Sequence, residues 1–186
     1  MSTDEALLNV EEKMEKAVEV LKNQLGGIRT GRATPGLVDS IKVEAYGSLT
    51  PIKQLATIGA PEPQQIVIRP YDAGTIKDIE KAIIASDLGL APQSDGRVIR
   101  LNIPALSTEV RKKMVSRIKE LGEQAKVSIR NIRRDAMHDV IVLLKEKMIG
   151  EDEERRAEGD IQTITDKYVA EIDEILAVKE AELMEI

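Results

Sequence analysis

The chain has 186 residues, of which 42% are hydrophobic and 32% charged, and it carries a formal net charge of −6. This composition is typical of a folded, helix-rich globular protein with one or two domains. Because the chain has no cysteine, disulfides, a thiolate nucleophile and cysteine-bound metal are excluded. The N-terminus lacks a signal-peptide pattern and no apolar run approaches the roughly 18 residues of a membrane span. We therefore expect a cytoplasmic protein without a membrane segment.

The first 30 residues show the apolar period of a helix. N-cap residue types at Ser2-Thr3-Asp4 precede the pattern, and Gly26-Gly27 end it. Only Gln24 violates the 3-4 spacing of the predicted apolar stripe, which consists of Leu7, Val10, Met14, Ala17, Leu21, Gln24 and Ile28.

Residues 31–105 differ from the rest of the chain in composition and periodicity, because they hold all seven prolines and most of the alternation of apolar and polar residues typical of strands. The pattern predicts strands within 41–46, 65–69 and 98–103 and one helix over 76–88. We interpret this region as a small β/α/β domain inserted into a helical one. Two short crossings, Thr30–Gly36 and Asn102–Ala105, would then form a hinge. The Gly-Arg-Ala-Thr-Pro-Gly segment at 31–36 could also cradle an anion, but its glycines lack phosphate-loop spacing, which favours a flexible joint.

Residues 110–147 indicate one long amphipathic helix of about 60 Å with a basic flank. Between Arg111 and Arg134 there are nine Lys or Arg and two acids, Glu120 and Glu123, which we expect to project away from the basic residues. At 100° per residue, five cations fall within about 60° of one another: Lys112, Lys119, Lys126, Arg130 and Arg133. The predicted apolar stripe lies about 130° away and consists of Met114, Ile118, Leu121, Ala125, Ile132, Ala136 and Leu143. The local field on this helix is positive although the chain is acidic.

A last helix is predicted after Gly150, where four acids suit a helix N-terminus. Its predicted apolar stripe consists of Ile161, Ile164, Tyr168, Ile172, Ile175, Val178 and Leu183. Three long helices with one stripe each predict an α+β fold: a discontinuous three-helix bundle from 1–30 and 106–186, with the small domain at 31–105. Residues 150–186 hold 13 acids and 4 bases, so an alternative is that they neutralise the basic stripe.

Motifs for catalysis are missing from the sequence. It contains no phosphate-binding loop and no nucleophile elbow, and its single histidine, His138, is predicted to lie on the surface. We therefore predict no catalytic residue, no metal and no cofactor. With no Trp, no Phe and three Tyr, the chain has few aromatic side chains for stacking on bases. The basic helix therefore favours recognition of the backbone and shape of a structured RNA.

Several blocks of sequence, in order, match a known family. They are IRTGRA at 28–33, YG at 46–47, TPI at 50–52, QLA at 54–56, ASDLGL at 85–90, VSIRNIRRDA at 127–136 and GEDE at 150–153. In these blocks, and over essentially its whole length, the chain resembles the ribosome recycling factors. The family commonly has an acid pair before its basic run, whereas here Glu109 is followed by Val110, which we expect in the bundle core.

The resemblance implies an L-shaped, tRNA-like monomer whose bundle binds the 70S ribosome after termination. The family contacts large-subunit ribosomal RNA at the intersubunit face. Together with the GTPase elongation factor G, which hydrolyses the GTP, it splits the subunits. The resemblance implies RNA contacts by Arg133, Arg130, Arg111 and Arg134, while Lys126, Lys119 and Lys112 are added from the helical geometry. The implied hinge comprises Arg29, Thr30, Gly31, Arg32, Pro35, Gly36, Ile103 and Pro104.

Two other classes of function stay open from the residues alone. A helical scaffold or chaperone could bind protein partners through its coiled surfaces, with the basic stripe serving solubility. An enzyme would need a pocket in the small domain, which the sequence does not reveal. Salt-dependent binding to ribosomes or ribosomal RNA distinguishes the recycling factor from the scaffold, because phosphate contacts release counterions.

Overall fold

The computed structural model describes residues 2–184 and shows long helices together with a small sheet domain. The predicted α+β fold class is thereby confirmed. The described chain divides into two compact units. One comprises the chain up to Leu25 together with Val115–Met184, and the other comprises Gly26–Met114.

The first unit is built from three helices. These are α1 (Thr3–Gly26), α4 (Thr108–Lys145) from Val115 onward, and α5 (Glu151–Met184). A capping box starts α1: the Ser2 hydroxyl accepts from the Glu5 amide at 3.2 Å, and the Glu5 carboxylate accepts from the Ser2 amide at 2.8 Å. Four acids open α5, where the helix dipole favours negative charge.

Each of these helices buries one stripe of side chains. In α1 the buried residues are Ala6, Val10, Met14, Val18, Leu21 and Leu25. In α4 they are Ile118, Leu121, Gly122, Ala125, Ile129, Ala136, Val140 and Leu143. In α5 they are Ala157, Ile161, Thr165, Tyr168, Ile172 and Leu183. The helical period was therefore predicted correctly, although the membership of each stripe differs.

Several residues of the predicted stripes are not fully buried. The half-buried ones are Leu7, Ala17, Met114, Ile132, Ile164 and Ile175, and Gln24 is exposed. In α1, Val18 and Leu25 are buried in place of Ala17 and Gln24, because one-turn steps of four residues bring the larger apolar side chains inward. Val178 is 57% exposed and is therefore not part of the buried stripe of α5. Val110 is 37% exposed and lies in the second unit, not in the bundle core.

The second unit contains two antiparallel sheets and the remaining helices. A two-stranded sheet pairs β1 (Lys42–Ala45) with β2 (Ser48–Pro51). The four-stranded sheet has the order β3-β4-β6-β5, with β3 (Ala56–Glu62), β4 (Gln65–Pro70), β5 (Pro92–Ser94) and β6 (Ile99–Asn102). The helices are α2 (Ile52–Leu55) and α3 (Ile76–Ala85), with 3₁₀ turns at Pro35–Leu37 and Ala73–Thr75.

The core of the second unit forms where β4 and β6 present alternating side chains. Ile66 opposes Leu101 and Ile68 opposes Ile99 in the strand register, and all four are fully buried. The fully buried Ile79 and Ile83 of α3 belong to the same cluster. Because three β-branched isoleucines sit at every second position of paired strands, the sheet presents one continuous apolar face to the rest of the unit.

The hairpin of β1 and β2 turns at Tyr46 and Gly47, which both have positive φ, 53° and 77°. Positive φ at both central residues is the geometry of a type I′ turn, whose twist matches that of paired strands. A tyrosine in this conformation is uncommon. The Tyr46 hydroxyl donates to the Asp72 carboxylate at 2.5 Å, so a side-chain contact holds the turn residue in place.

Candidate nucleic-acid interface

Two lysines of the basic stripe on α4 are free. Lys112 and Lys119 are exposed, and neither forms a hydrogen bond or ion pair with any other residue between 2 and 184. Both ammonium groups can therefore bind an anion from solution without breaking an internal contact.

Lys126 is bound to the last helix. Its ammonium group lies 2.6 Å from a carboxylate oxygen of Asp173 on α5, and its side chain is only 27% exposed. This ion pair is the kind of contact that the alternative interpretation predicted, in which the acidic final segment neutralises part of the stripe. Lys126 therefore also acts as a link between α4 and α5.

Arg130 is paired within its own helix, and this corrects a prediction. Its Nη2 donates to a carboxylate oxygen of Glu123 at 2.7 Å, although we expected Glu123 to project away from the stripe. Seven residues are close to two full turns, so the two side chains lie on one face. The hydrogen bond from Arg130 and its positive charge hold the pKa of Glu123 below the ordinary value. Glu120, the other acid, pairs with Arg117 at 2.7 Å.

Arg133 has a neutral partner. Its Nη1 donates to Oε1 of Gln162 on α5 at 2.9 Å, and Nε2 of Gln162 donates to the Asp166 carboxylate at 2.8 Å. No carboxylate within residues 2–184 pairs directly with Arg133. The guanidinium is therefore hydrogen-bonded to a neighbouring helix, and no carboxylate among these residues offsets its positive charge. Gln162 and Asp166 were not predicted, since only the helix register across the bundle brings them to Arg133.

Arg134 and Arg111 differ from Arg133 in which guanidinium nitrogens are available to a ligand. The Nε and Nη2 atoms of Arg134 both donate to one oxygen of the neighbouring Asp135, at 3.3 and 3.2 Å, and both side chains are exposed. Arg111 is half-buried and belongs to the second unit. Its Nε is buried without a hydrogen-bond partner, so only its terminal nitrogens are available to a ligand.

The predicted hinge residues are tied into the second unit. Thr30 is 1% exposed, and Gly31 has a φ of 78°, which favours glycine. The Ala33 amide donates to the Pro63 carbonyl at 2.7 Å, and the Ile103 amide donates to the Gln64 carbonyl at 2.7 Å. Both crossings are thus hydrogen-bonded to the turn between β3 and β4.

The other predicted hinge residues lie around these anchors. Arg29 is half-buried; its Nη1 donates to the Leu88 carbonyl at 3.5 Å, and its Nε is buried without a partner. A Cβ atom on Gly36 would lie 3.3 Å from the Gly26 carbonyl oxygen, so the backbone passes closely here. Arg32, Pro35 and Pro104 are exposed.

In the part of the chain that the structure describes, no three His, Asp or Glu side chains form a group that could hold a metal ion. His138 is exposed, as predicted, and its Nδ1 lies 4.0 Å from Asp139. A groove along α1 and α5 is lined by charged side chains, including the Lys22–Glu171 pair at 3.1 Å. No helix among the described residues is long and apolar enough to cross a bilayer.

Comparisons with known proteins agree over nearly the whole chain. The family model for ribosome recycling factor matches residues 21–184. A ribosome-recycling factor of Rhodopirellula baltica is 79% identical over 136 residues, which is 73% of each chain. A solution structure of the ribosome recycling factor has a TM-score of 0.81 and 42% identity, covering 100% of this chain and 99% of that one.

A second solved structure comes from an assembly. It is described as models for the T. thermophilus ribosome recycling factor and the E. coli elongation factor G bound to the E. coli post-termination complex. Its matching chain has a TM-score of 0.72 and 43% identity, with 98% of this chain and 99% of that chain covered. Sequence and fold therefore agree, and this chain belongs to the ribosome recycling factor family.

Proposed function

We propose that this chain binds the 70S ribosome after termination and, with elongation factor G and GTP, splits it into subunits. In this proposal the chain is a monomeric, non-catalytic factor of the cytoplasm, and GTP hydrolysis belongs to elongation factor G. Membership of the ribosome recycling factor family supports it. So does the similar structure described with elongation factor G on a post-termination complex. The sequence itself has no nucleotide-binding loop.

The RNA-binding surface in this proposal is the basic side of α4. Arg133 is its centre, and the observation that carries this assignment is that its one hydrogen-bond partner among residues 2–184 is a neutral amide. A guanidinium that is oriented but not neutralised is well suited to a phosphate group. Lys112 and Lys119 add unpaired charge on the same helix. Arg130, Arg134 and Arg111 follow from the resemblance, and Lys126 takes part only after leaving Asp173.

The hinge is proposed to transmit the action of elongation factor G. The two crossings are short and are hydrogen-bonded to the β3–β4 turn through Ala33 and Ile103. A force applied to the small domain would therefore reach the bundle through two backbone connections and not through a long tether. The residue proposed for bending is Gly31, which precedes the Ala33 anchor in the chain and has a φ of 78°.

The test is an assay in which the splitting of post-termination ribosomes into subunits is monitored by light scattering. Splitting should require this chain, elongation factor G and GTP together. Arg133→Ala should weaken it roughly 10- to 100-fold, since a hydrogen bond to a charged group is worth about 1.5–3 kcal/mol. Arg155→Ala, which removes an equally positive exposed side chain from α5, is the matched control and should split normally.

The possible outcomes separate the function from the assignment of its residues. Equal splitting by Arg133→Ala and Arg155→Ala would leave recycling intact and show that the critical RNA contact lies elsewhere. No splitting by the native chain with a competent elongation factor G would refute the proposed function and favour the helical scaffold.

A further inference from the structure

Gln162 stands between a group that only donates hydrogen bonds and a group that only accepts them. Its Oε1 faces Arg133 Nη1 at 2.9 Å and its Nε2 faces the Asp166 carboxylate at 2.8 Å. A guanidinium has no acceptor and a carboxylate has no donor, so a flipped amide would lose both bonds. The amide therefore has one favourable orientation. Asp166, which lies one turn further along α5, determines that orientation by accepting the hydrogen bond from Nε2.

This contact leaves a particular edge of the Arg133 guanidinium free. Gln162 uses Nη1, whereas Nε and Nη2, which lie side by side, have no partner among residues 2–184. Arg133 is half-buried, but neither atom is fully enclosed, because the fully buried, unpartnered side-chain nitrogens of the described chain are Nε of Arg29 and Nε of Arg111. Paired N–H groups of this kind match two oxygens of one phosphate.

The neighbouring arginines are held in the opposite way. Arg134 directs the same Nε and Nη2 atoms at Asp135, and Arg130 directs Nη2 at Glu123. In both cases a carboxylate occupies the Nη2 atom and offsets the charge. Arg133 alone of these three is held through Nη1 by an uncharged group.

We propose that Gln162 is a positioning residue for RNA binding. Held by Asp166, it fixes the Arg133 guanidinium across the α4–α5 interface with the Nε and Nη2 edge presented to a phosphate of ribosomal RNA. This inference rests on the proposed function, because it requires Arg133 to contact RNA. Gln162 itself need not touch the RNA; it lowers the cost of ordering a long side chain when the complex forms.

The test is equilibrium co-sedimentation with 70S ribosomes over a series of salt concentrations, without elongation factor G. Gln162→Met keeps the length of the side chain but removes the amide. It should weaken binding roughly 2- to 10-fold, the cost of ordering one flexible side chain. Its salt slope should stay native, because the charge on Arg133 remains. Arg133→Ala should weaken binding more and lower the slope by about one unit.

A double variant separates positioning from a general structural role. In the Arg133→Ala background, Gln162→Met should cause no further loss, since it has no guanidinium left to orient. Glu171→Gln, which removes an ion pair between α1 and α5, is the control for loosened helix contacts and should bind like the native chain. Should Gln162→Met lower the helix content, Asp166→Ala replaces it, because Asp166 is exposed and its loss frees the amide to rotate. About a twofold loss of affinity is expected for that variant.

Native affinity of Gln162→Met, or an equal loss in both backgrounds, would overturn the positioning role. If Arg133→Ala binds like the native chain, the RNA contact in the proposed function fails first, and the role of Gln162 fails with it. A loss on Arg133→Ala with none on Gln162→Met or Asp166→Ala would leave the proposed function standing and overturn this inference alone.

Discussion

Gly122 of α4 lies directly against Leu176 of α5. A Cβ atom built on Gly122 would lie 2.4 Å from Cδ1 and 2.8 Å from Cδ2 of Leu176, well inside van der Waals contact. Gly159 of α5 is the matched control, because a Cβ atom there would have no neighbouring atom within 4 Å. Both glycines lie within long helices, so the same substitution tests close packing at one site and helix propensity at the other.

Gly159→Ala should stabilise the bundle by about 0.5–1 kcal/mol, the usual gain when alanine replaces glycine within a helix. Gly122→Ala has the same gain but must displace both methyl groups of Leu176, and overpacking of this kind typically costs about 1–3 kcal/mol. The net effect at Gly122 should therefore range from nearly neutral to about 2 kcal/mol destabilising. The two variants should differ by about 1–3 kcal/mol.

Urea unfolding followed by circular dichroism of the helices measures both variants against the native chain. The denaturant slope should not change, since neither substitution alters the surface exposed on unfolding. In a Leu176→Ala background the clash is removed, and Gly122→Ala should then stabilise as Gly159→Ala does. If Gly122→Ala stabilises the native background by as much as Gly159→Ala, the close approach of α4 and α5 at this point is wrong.

Two titrations test exposed hydrogen bonds in the second unit. The amides of Val98 and Arg97 lower the pKa of Asp95 to about 2 from 3.8. Because the folded pKa is depressed, this contribution to stability is complete above pH 3.8 and is lost as pH falls through about 2. A carboxyl NMR titration of Asp95 that shows an ordinary pKa would contradict it. The Tyr46 hydroxyl likewise lowers the pKa of Asp72 and has its own pKa raised. Tyr46→Phe should therefore raise the pKa of Asp72, and an unchanged value would exclude the contact.

The helices were predictable because their apolar period is long and regular, whereas several strands were not. β1, β4 and β6 match the predicted strands: β1 and β6 fall within their predicted ranges, and β4 extends one residue further, to Pro70. β2, β3 and β5 were missed, because each is short or interrupted by residues that usually break strands. Pro51 ends β2, β3 contains Gly59 and Pro61 with a register shift, and Pro92 begins β5. Tertiary pairing overrides the local signal in these strands.

The candidate interface was predictable along one helix but not between helices. The angular positions of Lys112, Lys119 and Arg133 follow from the sequence, and the Glu123–Arg130 pair could also have been read from its seven-residue spacing. The partners of Lys126 and Arg133 could not. Asp173 and Gln162 lie on α5. Whether they contact Lys126 and Arg133 depends on the register of α4 against α5, which the packing of buried side chains determines.

In a chain of net charge −6, the cations most available to a polyanion are those that no carboxylate already pairs with. Lys112, Lys119 and Arg133 meet that condition, since none of them pairs directly with a carboxylate among the described residues. Arg130 and Arg134 lie in exposed pairs, which exchange readily for a phosphate because water screens them. Lys126 is different: its side chain is only 27% exposed and its 2.6 Å ion pair joins two helices, so RNA would have to compete with Asp173. For the proposed RNA surface, we therefore expect Lys112, Lys119 and Arg133 to contribute most of the positive field, Arg130 and Arg134 to contribute next and Lys126 last, with Arg111 adding only its terminal nitrogens.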